Sequence, residues 1–159
     1  EERIAIAPNE TSATLFEKLT QLGARAIVET VAKLSTLTPH PQSMDGATYA
    51  RKIDKSEATI NWNQPAVTIE RRIRAFDPFP GCETLVGTER IKIWHAQVVA
   101  NEANGAAPGT IIQADHGVLI VQCGEQQLQW MIVQKAGSRR MMIDEFLRGN
   151  SVSTGVKLA

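Results

Sequence analysis

An α+β fold is predicted, with helices first, then a linker, then a small β-barrel or sandwich with flanking helices. Three observations carry it. Apolar residues recur at spacings of three and four across residues 12–34, the period of one helical face. Residues 36–60 are dominated by turn and extended-chain chemistry. From Cys82 onward, short apolar segments are separated by glycine-containing turns. The composition is compatible, since 43% of the 159 residues are apolar, enough to fill a core and to exclude a disordered chain. Seventeen basic and seventeen acidic side chains cancel. A polybasic nucleic-acid coat and an acidic tail are therefore excluded, and any charge-driven partner must meet a local patch.

The first helix places Leu15, Leu19, Leu22, Ala26, Ile27, Val31 and Leu34 on one face, with Asn9, Thr11 and Ser12 as N-cap candidates. Gly23 weakens its middle, so either two helices meet at Gly23-Ala24 or one helix kinks there. The apolar face of residues 12–34 needs a partner, and a second copy of the chain is one way to supply it. Ahead of the helix, residues 3–6 read as the end of a strand, and without an initiating Met the chain is expected to be a fragment. The linker runs through Thr38-Pro39-His40-Pro41 and Asp45-Gly46. The expected divisions are residues 1–35, 36–60 and 61–159.

Asn63 and Pro65 mark the start of a second helix with the stripe Ala66, Ile69, Ile73 and Phe76, and Asp77-Pro78-Phe79-Pro80-Gly81 stops it. Strands are expected at residues 82–86, 90–99, 109–114, 118–123 and 128–134. In the second of these the apolar phase switches. Ile91 and Ile93 share one face, and Trp94, Ala96 and Val98 share the other, so a bulge or bend near Trp94 is expected. A last helix at residues 143–148 stops at Gly149-Asn150, and residues 151–159 read as a polar, extended tail.

No catalytic constellation is visible. His40, His95 and His116 stand in the linker, mid-strand and in a turn, without Cys or carboxylate at metal-ligand spacing. Cys82 and Cys123 read as buried thiols, and Trp62, Trp94 and Trp130 as core residues ahead of base-stacking platforms. No apolar run approaches the ~18–20 residues that span a membrane, and the start has no secretory pattern, so a cytoplasmic location is the default. What remains is a distribution of basic residues: Arg51, Lys52 and Lys55 in the linker, Arg71 and Arg74 on the second helix, Lys92 on a strand, and Lys135, Arg139 and Arg140 before the last helix. From Leu128 onward five basic residues face two acidic ones. A five-stranded barrel with a basic rim is a common nucleic-acid platform, so these nine are candidate nucleic-acid contacts, against the alternative of ordinary solvated faces.

Several runs then appear in a specific order. They are Thr48-Tyr49-Ala50-Arg51-Lys52-Ile53-Asp54-Lys55-Ser56-Glu57-Ala58-Thr59-Ile60-Asn61-Trp62, Pro65-Ala66, Ile73-Arg74-Ala75-Phe76-Asp77-Pro78-Phe79-Pro80-Gly81, Ile91-Lys92-Ile93-Trp94-His95-Ala96, Pro108-Gly109-Thr110-Ile111, Gln134-Lys135-Ala136-Gly137, Arg140-Met141 and Glu145-Phe146-Leu147-Arg148-Gly149. This series resembles the carboxyl-terminal part of the methionyl-tRNA formyltransferase family. Thr11-Ser12, Leu15, Lys18-Leu19 and Leu22-Gly23 resemble the last helices of that family's catalytic domain.

The resemblance implies that residues 1–35 end a Rossmann-like formyltransferase domain, that residues 36–60 are a basic linker, and that residues 61–159 are an OB-like barrel that helps to hold initiator Met-tRNA. It implies a parent enzyme that formylates the methionine of that tRNA from 10-formyltetrahydrofolate in translation initiation. The family's catalytic Asn, His and Asp and its folate pocket lie upstream of Glu1, so no catalytic, cofactor or metal residue is carried onto this chain, and the chain alone is expected to be inactive. Two positions depart from the family: Ser138 stands where a second Gly is frequent, and Met142 where a small hydroxyl cap is frequent. The loop before the last helix is therefore expected to be less tightly fixed. Two rival readings are a sugar-nucleotide formyltransferase fragment and a non-catalytic structural or interaction barrel.

Overall fold

Thr11 starts the first helix through a reciprocal cap. Its hydroxyl accepts from the Thr14 N–H, and the Thr14 hydroxyl accepts from the Thr11 N–H, so two otherwise orphaned donors are satisfied. In the computed structural model, which describes residues 1–100 and 105–159, helix α1 spans Ser12–Ala32 and runs unbroken through Gly23. The two-helix alternative does not hold, because one central glycine costs only ~1 kcal/mol against the cooperativity of a long helix. No residue of α1 is buried, and Phe16, Ile27, Val28 and Val31 are exposed. Residues 3–6 form no strand, and residues 37–54 contain no helix or strand.

The described chain divides into two compact units, Glu1–Asp54 and Lys55–Ala159. The second begins ahead of residue 61 for a packing reason. A 3₁₀ turn, Lys55–Ala58, leads into Ile60, whose N–H donates to the Glu83 carbonyl at 2.9 Å, and Ala58 and Ile60 are both buried. Limited proteolysis is expected to cut first within residues 36–54 and to leave a stable product that starts near Lys55. Cleavage inside residues 60–100 before the linker is cut would contradict this division.

Helix α2 spans Ala66–Ala75, and its stripe of Ala66, Ile69 and Ile73 is buried together with Phe76. It packs on a sheet whose strands are β1 (Cys82–Val86), β2 (Glu89–Val99), β3 (Ile111–Asp115), β4 (Val118–Gln122), β5 (Gln127–Lys135) and β6 (Met141–Met142). The strand order is β1-β2-β5-β4-β3, every pairing is antiparallel, and β6 pairs with β5. Helix α3, Ile143–Gly149, buries Ile143 and Phe146 against it. In the β3–β4 hairpin both central residues, His116 at φ 48° and Gly117 at φ 77°, take the left-handed conformation that a tight two-residue turn requires.

The bulge lies where the phase switch places it, but its effect on Trp94 differs from the sequence reading. The β2–β5 register shifts between Ile93 and His95 and again between His95 and Ala96. The shift returns Ala96 and Val98 to the same core face as Ile91 and Ile93, and leaves Trp94 on the opposite face with Lys92. Trp94 is buried yet stands outside the core cluster, whereas Trp62 and Trp130 stack within it, ring centroids 6.2 Å apart and planes 18° from parallel.

Strand pairing does not close the sheet into the expected barrel. Its edges, β1 and β3, do not pair with each other. The tail lies between them. Ile111 N–H donates to Val156 O at 2.8 Å and Leu158 N–H to Gly109 O at 2.8 Å on one side, and Leu85 N–H donates to Ala159 O at 2.9 Å on the other. Leu158 is buried, and Val152 and Val156 pack on the core. The segment that reads as a polar extension thus satisfies backbone groups at both exposed edges.

Candidate nucleic-acid interface

Because β2 alternates, Lys92 and Trp94 project from the same outer face, and the register sets Lys92 opposite Gln134 on β5. Trp94 Nε1 donates to Gln134 Oε1 at 2.8 Å, and Gln134 Nε2 donates to the Ser138 carbonyl at 2.7 Å. Over the Trp94 ring lie two cations: the Arg140 guanidinium carbon is 3.6 Å from the centroid and Lys92 Nζ is 5.6 Å from it. Arg140 also donates to both carboxylate oxygens of Asp77, at 2.6 and 3.3 Å, and Lys92 donates to the Pro80 carbonyl at 2.7 Å.

Gly81 completes the cover. Its φ is +80°, and a Cβ added there would lie 2.6 Å from Trp94 Cη2, so only glycine allows the backbone to rest on the ring. The Asp77–Gly81 run, which reads from sequence as a helix stop, is therefore fastened to β2 and to the loop before α3. That loop is fixed by Gln134, by Arg140 and by the ion pair of Arg139 with Glu145 at 2.5 Å, in contrast to the looser loop expected. The missing cap is real, since Met142 makes no side-chain bond to α3. Tertiary contacts supply the hold instead.

The remaining candidates are placed separately. Arg74 pairs with Glu70 at 2.6 Å along α2, and Arg71 is exposed on the same helix. Lys135 contacts Glu89 at 2.9 Å and Asn150 at 2.7 Å. Arg51 and Lys52 are exposed in the first unit, and Lys55 is exposed at the opening of the 3₁₀ turn. Of the nine, Lys92 and Arg140 are brought onto one ring, while Arg74, Lys135 and Arg139 are tied to carboxylates elsewhere. The Arg139–Glu145 pair is exposed, and such a pair contributes little to stability, whereas the Arg74–Glu70 pair is half-buried.

Sequence reasoning missed the parts played by Asp77, Pro80, Gly81 and Trp94. The available signal was the spacing of Lys92 and Trp94, two residues apart on one strand.

Nothing in the described residues suggests an acid–base or metal centre. They contain no group of three His, Cys, Asp or Glu placed to hold a metal ion. A concavity of about 670 Å³ is lined by Val99, Ala100, Ala106, Thr110, Ile111, Ile112, Gln113, Ile120, Gln127, Thr154 and Gly155, none of which titrates. Cys82 and Cys123 are free and buried, and burial pushes each thiol up to about 12. Neither is expected to react with a thiol reagent such as Ellman's at pH 8 in the folded protein, and both are expected to react after denaturation. Rapid native labelling of either would show a thiolate that this packing does not permit.

An antiparallel sheet with flanking helices, and an outer face on which Lys92 and Arg140 lie over Trp94, defines a domain of the α+β class. The family described as "Formyl transferase, C-terminal domain" matches residues 52–151, and the chain belongs to that family. Among named relatives, the methionyl-tRNA formyltransferase of Acidovorax ebreus (strain TPSY) is 45% identical over 99% of this chain and 50% of its own length. That of Burkholderia multivorans (strain ATCC 17616 / 249) is 44% identical over 99% of this chain and 49% of its own. The chain thus spans about half the length of the curated relatives it matches. Among solved structures, HypX from Aquifex aeolicus in complex with tetrahydrofolic acid matches 94% of this chain and 29% of its own, with a TM-score of 0.63 at 14% identity, which establishes likeness of fold. Among the described residues no helix is long and apolar enough to cross a membrane.

Proposed function

We propose that this chain is the tRNA-binding portion of a methionyl-tRNA formyltransferase, which transfers a formyl group from 10-formyltetrahydrofolate to the methionine of initiator Met-tRNA in the cytoplasm. The observation that carries the reading is identity above 40% along almost the whole chain to relatives that bear that name. These relatives favour it over a sugar-nucleotide formyltransferase and over a purely structural barrel. In this reading residues 1–35 end the catalytic domain, residues 36–60 are a basic linker, and residues 61–159 grip the tRNA. Arg51, Lys52, Lys55, Arg71, Arg74, Lys92, Lys135, Arg139 and Arg140 contact phosphates, which positions the RNA without reading its sequence.

The folate of the HypX complex supports the class of formyl donor. No residue of this chain is assigned to the donor. The uncovered apolar face of residues 12–34 belongs either against the other half that the relatives possess or against a second copy. Size-exclusion chromatography of the chain and of the full-length protein separates these, since only self-association makes both dimeric.

The decisive experiment supplies the full-length protein with charged initiator tRNA and 10-formyltetrahydrofolate. Formyl-methionine is the expected product, and the 159-residue chain alone is expected to yield none. Formylation of an amino sugar nucleotide in place of the tRNA would overturn the reading.

A further inference from the structure

We propose that Phe79 is a stacking platform for one unpaired nucleobase of RNA, with Lys92, bonded to the carbonyl of the next residue, Pro80, taking that nucleotide's phosphate. The proposal rests on the RNA-binding reading above and adds the group recognised and the residue that recognises it. The other large aromatic side chains of the second unit, Phe76, Trp62, Trp94, Trp130 and Phe146, are buried, whereas Phe79 is 59% exposed.

Its loop is held on every side. Gly81 N–H donates to Phe76 O at 2.9 Å, Pro80 O accepts from Lys92, the Asp77 carboxylate is clamped by Arg140, and Gly81 rests on Trp94. Prolines on both sides of Phe79 restrict the backbone further. A ring fixed in this way is presented to a ligand at little ordering cost. Lys92 uses one N–H on a neutral carbonyl, so its charge and its other two donors remain for an anion. Arg140 also holds the loop in place, through its two bonds to the Asp77 carboxylate, while its guanidinium lies over Trp94.

An exposed aromatic ring, with a lysine ammonium bonded to the carbonyl of the next residue, suits single-stranded nucleic acid, where a base offers its face to the ring and its phosphate to the charge. Bases inside a duplex are already stacked on their neighbours. The site therefore selects an unpaired end, loop or bulge.

The test uses the full-length protein with a short single-stranded oligoribonucleotide that carries 2-aminopurine, the same strand in a duplex, and initiator tRNA. Wild type is expected to change the 2-aminopurine emission of the single strand and not of the duplex. Phe79→Ala and Phe79→Leu are expected to abolish that change and to weaken single-strand binding roughly 5- to 150-fold, while Phe79→Tyr retains both. Lys92→Met is expected to lower the salt slope of binding by about 1.

Full affinity in Phe79→Leu would show simple apolar contact and overturn the stack. A fall in melting temperature that accounts for the lost affinity would show the ring to be structural and would also overturn it. If wild type binds and formylates tRNA while Phe79→Ala leaves affinity and emission unchanged, this inference fails and the tRNA reading stands. If wild type stacks the oligonucleotide but does not engage initiator tRNA, the tRNA reading fails and the platform stands.

Discussion

Gly124→Ala is expected to destabilise the second unit by about 3 kcal/mol and to lower its melting temperature by on the order of 10 °C. A Cβ at this position would lie 2.1 Å from the Asn63 carbonyl oxygen and 2.7 Å from its carbon, with the Gln64 oxygen at 3.3 Å. All three are backbone atoms, so no side-chain rotation relieves the clash. The approach is close because the turn after β4 docks the strand-like lead into α2. Gly124 N–H donates to Trp62 O at 2.9 Å and to Gln64 O at 3.1 Å, and Ala66 N–H donates to Glu125 O at 2.9 Å. Separating the two segments lengthens these bonds and draws Trp62 away from Trp130.

Gly149→Ala is the control. Nothing lies within 4 Å of a Cβ there and the residue is helical, so it is expected to be neutral or to stabilise by about 0.5 kcal/mol. Urea denaturation and calorimetry of both variants check the pair. Equal stability of Gly124→Ala and wild type would mean that the 62–66 segment does not dock on this turn.

Lys52→Glu is expected to weaken initiator-tRNA binding by the full-length protein more than about tenfold at 0.1 M salt, and to lower the slope of log affinity against log salt by at least about 1. One phosphate contact releases close to one counterion, which at that salt concentration corresponds to about a factor of ten. Lys52 is exposed on a segment without helix or strand, so its side chain reaches a phosphate without rearrangement of a core. Lys52→Ala is expected to fall between wild type and Lys52→Glu, because it removes the attraction without adding repulsion. The melting temperature is expected to stay the same in both, since an exposed charge contributes little to stability. The salt dependence of formylation, measured alongside, distinguishes a phosphate contact from an indirect effect. Unchanged rate and unchanged slope in Lys52→Glu remove the linker from the RNA site and return its charges to an ordinary solvated segment.

What the amino-acid sequence determined by itself was whatever repeats at short range. The stripe Ala66, Ile69, Ile73 and Phe76 encodes α2 and its buried face, and alternation bounded by turns places β1 to β5 within a residue or two. The turn at His116-Gly117 was readable for the same reason, since backbone conformation there is a property of two adjacent residues. The ordered runs from Thr48 to Gly149 carried the family, because many weak local matches in one order are jointly specific.

The tertiary structure decided what depends on residues far apart in the chain. Whether Trp94 lies on the core face or on the opposite face of the sheet is set by where the β2 register slips against β5, about forty positions later, and a slip of one residue reverses every side chain beyond it. The tail looks polar because only Val152, Val156 and Leu158 face inward, and its use becomes visible once β1 and β3 are seen to leave two open edges. Asp77 and Arg140 are 63 residues apart, and neither residue type announces the other. The basic residues were legible as a list, but charge carries no direction in a sequence. Only the folded sheet determined that Lys92 and Arg140 share one ring while Arg74 and Lys135 turn to carboxylates of their own.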